Sequence, residues 1–112
     1  MKTISNFIYK SDGVFDSWRV LKGNPKEGDC DDYAITTIYE NEGRVVRPLL
    51  TGKYKIYLVI VPSTGNKHVV LRHGDQYIDN ITQKWGSKPD YKFIARFPIP
   101  IIISKLLLGK VR

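Results

Sequence analysis

Gly28-Asp29-Cys30-Asp31-Asp32-Tyr33-Ala34 is the stretch from which the rest of this chain is best read. It marks a loop turning into a helix, with Asp29 as the N-cap and Asp32, three residues on, as a weaker form of the capping box. Behind it Ala34, Ile35, Ile38 and Tyr39 recur at core-facing spacing. That pattern predicts a helix from about Cys30 to Asn41, stopped by Gly43. Cys30 is the single cysteine. At a helix N-terminus, unpaired backbone N–H groups and the dipole favour a thiolate, which is the nucleophilic form. Asp29, Asp31 and Asp32 oppose this by raising the thiol pKa, so the local electrostatics pull both ways.

Upstream, Phe15, Trp18 and Leu21 recur every three residues and predict a short amphipathic helix ending at Gly23-Asn24-Pro25. Downstream the period changes. Arg44–Leu50, Tyr54–Val61, Lys67–Arg72, Gln76–Ile81 and Tyr91–Phe97 read as strands, rich in β-branched and aromatic residues and separated by turn residues. Helices followed by a run of antiparallel strands define an α+β class. The tail from Pro98 to Arg112 is apolar and punctuated by Pro100 and Gly109, which bracket a short helix. It reads as packing on the domain; Lys105, Lys110 and Arg112 beside its apolar residues also make a membrane-surface contact a reading to test.

At 112 residues the chain is one domain, residues 1–112, and 42% apolar with 26% charged residues is ordinary for a globular protein. One cysteine excludes an internal disulfide, and with two histidines a structural zinc site is not expected. A net charge of +7 favours anionic partners, but the basic residues are spread without a run, so nucleic acid is not the expected ligand. The N-terminal residues lack the apolar run of an export signal, and no segment reaches the roughly 20 apolar residues of a membrane span, so a cytoplasmic location is expected.

A cysteine nucleophile needs a base within reach and a group to orient that base. His73 falls in the turn His73-Gly74-Asp75, where a polar residue needs no function, whereas His68 opens a strand. If Gly74-Asp75 is a two-residue turn, His68 faces Ile81 with Asp79 diagonal to it. A four-residue loop sets His68 opposite Asp79, and a three-residue loop puts the two on opposite faces. Spacing alone leaves these loops open. It also leaves open Asp79-Asn80 as a plain turn pair.

The cysteine segment resembles the nucleophile motif of bacterial transglutaminase-like cysteine peptidases, which read Gly-Asp-Cys-Glu/Asp-Asp-Tyr/Phe-Ala. His68-Val69-Val70-Leu71 is similar to that family's histidine strand, and Tyr77-Ile78-Asp79-Asn80 to its aspartate strand. Trp18 also has a counterpart, and the similarity runs from about Phe15 to Phe97. The resemblance implies a papain-like core with N-terminal helices packed on an antiparallel sheet. It implies Cys30 as nucleophile, His68 as general base and then acid, and Asp79 as the group fixing the imidazole tautomer. It further implies a protein or peptide substrate, no required cofactor, and calcium on Asp31 and Asp32 as in some periplasmic members. This chain lacks those members' length and export signal and looks more like small phage-encoded ones, for which a host cytoplasm is the expected location. A non-catalytic module that engages a host protein is the competing expectation.

Overall fold

In the computed structural model, which describes residues 2–10 and 18–110, Cys30 begins the longest helix and the strands downstream form one sheet. Helix α1 is preceded by two short strands, β1 (Phe7–Tyr9) and β2 (Lys26–Gly28), which pair in parallel. Helix α1 (Cys30–Glu42) is capped at its start by Asp29, whose side chain accepts the Asp32 N–H at 3.3 Å. It ends on Gly43 in the left-handed conformation, at φ 72°, with the Gly43 N–H donating to the Tyr39 carbonyl. A residue without a Cβ suits that conformation, so the stop read from Gly43 is the observed one.

The expected helix around Phe15, Trp18 and Leu21 is corrected in part. Phe15 lies outside the described residues, and Trp18–Lys22 are irregular. Trp18 and Leu21 are nonetheless buried, and Leu21 N–H donates to the Thr36 hydroxyl at 2.8 Å, so this segment is held on α1 by side-chain hydrogen bonds. The segment Arg44–Leu50, expected as a strand, contains helix α2 (Val46–Leu50). Burial of Leu49 in the core and packing of α2 on the C-terminal helix override the β-branched bias of Val45 and Val46.

A four-stranded sheet follows, built from β3 (Tyr54–Ile60), β4 (Lys67–His73), β5 (Gln76–Ile78) and β6 (Lys92–Arg96) in the order β5-β4-β3-β6. All its pairings are antiparallel, so the α+β class stands. The pairing of His73 with Gln76 fixes Gly74-Asp75 as a two-residue turn, with Gly74 at φ 61°. Strand β5 stops at Ile78, so Asp79 lies just past the strand rather than inside one running to Ile81.

Helix α1 lies on the face of the sheet that carries Tyr54, Ile56, Val69, Leu71 and Ile78, and with Tyr33, Ala34, Ile35 and Ile38 these residues form the core. Tyr54 closes the far end of α1 by donating its hydroxyl to Glu42 at 2.9 Å, where Lys53 also pairs with that carboxylate. The tail forms α3 (Ile99–Lys110), longer by a residue at each end than the bracket of Pro100 and Gly109. Ile102 enters the core, and the Lys105 carbonyl accepts the Trp18 N–H at 3.0 Å, so this helix completes the domain. Among the described residues no helix is long and apolar enough to cross a membrane.

Candidate active site

The hairpin register decides where the β4 backbone points. His73 and Gln76 flank a two-residue turn, so the N–H and C=O of His73, and by alternation those of Leu71 and Val69, face the β5 side. Because β5 ends at Ile78, opposite Leu71, the Val69 backbone faces a lane that no strand fills. The start of α1 occupies that lane, where the backbone N–H groups of Val69 and Asp31 approach the Cys30 sulfur closely enough to lower its pKa.

His68 and Asp79 come together beside the same lane. His68 Nε2 lies 3.2 Å from Asp79 Oδ2, and both residues are buried, at 7% and 2% exposure. The ring N–H does not point squarely at that oxygen, so the contact is an ion-pair distance without a linear hydrogen bond. The other carboxylate oxygen, Oδ1, accepts the Ile81 N–H at 3.1 Å, the Thr82 N–H at 2.7 Å and the Thr82 hydroxyl at 3.0 Å. One oxygen thus builds the turn after β5 while the other meets the histidine. Burial raises the Asp79 pKa, but His68, the Thr82 N–H and the Tyr91 hydroxyl outweigh it and hold the carboxyl below its ordinary range.

His68 leaves β4 on the face opposite Val69 and Leu71, because side chains alternate. Its partner Asp79 stands in the chain that continues β5, just past the end of that strand. The structure therefore brings His68 and Asp79 into contact and sets Cys30 against the backbone of the next residue, Val69. The two-residue turn is one of the loops that allowed His68 and Asp79 to meet, and they do, while Cys30 lies against the backbone one residue along β4.

The thiol is held neutral. Burial, then the charge of Asp31, then that of Asp29 push Cys30 up to about 12, against the opposing N–H groups of Val69 and Asp31. Burial also pushes Asp31 up to about 10, reinforced by hydrogen bonding to Asp29 and by the charges of Asp29 and Asp32. Carboxylate oxygens of Asp29, Asp31 and Asp32 lie within 4.8 Å of one another. The oxygens of Asp32 are engaged elsewhere: Oδ1 accepts the Arg19 N–H at 3.1 Å and Oδ2 faces the Arg19 guanidinium at 3.9 Å. Asp32 thus anchors the Trp18 segment to α1 through its side chain while its N–H takes part in the Asp29 cap. Asp29 Oδ1 and Asp31 Oδ1 are engaged as well, both accepting the Asp32 N–H, at 3.3 Å and 2.7 Å.

Two tyrosines belong to the site that the sequence reading did not single out. Tyr91 stands edge-on to the His68 ring, at 5.8 Å and 89°, and its hydroxyl lies close enough to Asp79 that its own pKa is pushed up to about 12, burial acting first. Tyr33, one turn along α1 from Cys30, is fully buried, and burial and then Asp79 push it up to about 12 as well. Its hydroxyl has no hydrogen-bond partner among the described residues. The Tyr33 signal was present in the cysteine motif, at the i+3 spacing that shares a helix face. Tyr91 carried no such signal.

Compared with protein-family models, with curated proteins and with solved structures, the chain matches none. What the fold and site define by themselves is an α+β domain with a buried imidazole–carboxylate pair and a thiol set against the backbone of the residue next to that imidazole.

Proposed function

We propose that this protein is a cysteine hydrolase of the transglutaminase-like type, with a papain-like arrangement of its core, acting on a peptide or amide bond. The observation that carries the reading is the β4 edge, where Cys30 abuts Val69 and the adjacent His68 is paired with Asp79 at 3.2 Å. Because the thiol sits near pKa 12, attack needs a base at the moment of reaction rather than a preformed thiolate. His68 takes the thiol proton as Sγ bonds to the carbonyl carbon. The carbon–nitrogen bond then breaks, the amine leaves with the proton from His68, and a thioester remains on Cys30. A water deprotonated by His68 attacks the thioester, releasing the acid and returning the proton to sulfur. An amine in place of that water gives acyl transfer.

Asp79 keeps the imidazole oriented and balances its charge when it is protonated. The Cys30 N–H, at the first position of α1, is a donor for the oxyanion. Calcium, which the resemblance implies on Asp31 and Asp32, would be held by those carboxylates with Asp29 beside them, and no step above depends on it. Intact-mass trapping with a panel of activated peptide esters and amides tests the reading. An acyl adduct on wild type, lost in Cys30→Ala and not accumulating in His68→Ala, is the expected result.

The high thiol pKa and the burial of His68 and Asp79 favour one second reading, a non-catalytic protein-binding module on the same fold. That reading expects no adduct from any member of the panel.

A further inference from the structure

At the far end of α1 from Cys30, the last turn of that helix meets α2, α3 and the segment 18–22 around a groove of about 1070 Å³. Trp18 and Leu106 form its floor, while Tyr39, Val46, Leu50 and Leu107 form walls that are 45%, 41%, 56% and 57% exposed. Val46 and Leu50 stand four residues apart on α2, so one helical ridge faces the α3 ridge across the groove. Exposed apolar side chains set side by side and rimmed by charge are the arrangement of an interaction surface.

The rim carries one sign of charge. Lys22, Arg44 and Arg47 line the groove, all exposed, and none is in an ion pair among the described residues. Arg19 also lines it and faces Asp32 at 3.9 Å. No aspartate or glutamate is among the described lining residues.

We infer that this groove docks an acidic amphipathic helix of a partner protein, its apolar stripe between the α2 and α3 ridges and its carboxylates against Lys22, Arg44 and Arg47. Helix-in-groove recognition uses this combination of an apolar trough and a charged margin. Charge complementarity selects the acidic partner, and the chain's net charge of +7 steers its approach. The openness of the walls selects a helix over a lipid. An acyl chain laid there keeps one side in water, whereas an amphipathic helix turns a polar face outward.

The test is an NMR titration of the full chain with a model peptide of about 16 residues, Leu at helical spacing and Glu elsewhere. Two comparators share its design: one with Lys in place of Glu, and one of identical composition with the apolar stripe scrambled. The proposal expects shifts confined to residues 18–22, α2 and α3, with binding about tenfold tighter than either comparator. It also expects about tenfold weakening in the Leu50→Ser/Leu107→Ser and Arg44→Glu/Arg47→Glu variants at unchanged thermal stability. Equal binding of the scrambled peptide, shifts elsewhere on the surface, or no saturable binding overturns it. So does protection of Leu50 and Leu107 by phosphatidylserine-rich vesicles without peptide binding.

Discussion

At Asp79 one carboxylate oxygen holds the turn to Thr82 and the other meets His68, so protonating this residue weakens both. Its native pKa lies below the ordinary 3.8. A carboxylate with a depressed native pKa contributes stability that is present above its unfolded value and is lost as pH falls through its native value. Unfolding free energies from urea titrations should therefore fall in the wild type as pH drops below about 4, and Asp79→Asn should show a flatter acid limb. An equal slope in both would contradict the assignment. Tyr91→Phe keeps the ring edge against His68 and removes the hydroxyl. It should cost about 1 kcal/mol at neutral pH and move the acid limb upward, because a group holding the Asp79 pKa down is gone. His68 and Asp79 were legible because strand alternation allows them one face in two of the three loop lengths considered. Tyr91 was not, since its place depends on how the residues between Asp79 and β6 fold back, which no local period records.

Among the elements, the junction of β2 and α1 leaves no room for a side chain at Gly28. A Cβ on Gly28 would stand 2.9 Å from both Leu21 methyl carbons and 3.0 Å from the Asp32 Cβ. The glycine of the Gly28-Asp29-Cys30 motif is therefore a close-approach residue that lets the Leu21 segment pass over the helix start. Gly28→Ala should destabilise by about 1–3 kcal/mol in urea unfolding, since a backbone-proximal Cβ and a buried leucine must both give. Helix α1 and the β4–β5 hairpin were readable because their stops, Gly43 and Gly74-Asp75, are local chemistry. The β1–β2 pair was not, because three-residue strands show no alternation and their partners lie 19 residues apart, Phe7 with Lys26. Residues 44–50 misled for a related reason. Val45 and Val46 favour strands locally, and only the packing of Leu49 reveals the helix.

Over the whole molecule, a single core joins α1, the sheet and α3, and the tail is part of it. Ile102 is 1% exposed among residues from α1 and the sheet. Ile102→Ala should cost about 2–4 kcal/mol in a single cooperative transition, and a separate early transition for α3 would contradict one shared core. The same core holds the start of α1 in the lane past β5, and the proposed chemistry depends on that placement. The measurement that tests it most directly is the rate at which a peptidyl acyloxymethyl ketone, an electrophile that needs an assisted thiol, modifies Cys30. The account predicts a stoichiometric adduct on Cys30 in wild type, none in Cys30→Ala, and labelling slowed by about two orders of magnitude in His68→Ala. Wild type that stays unlabelled, or labelling of Cys30 that is equally fast without His68, would contradict it.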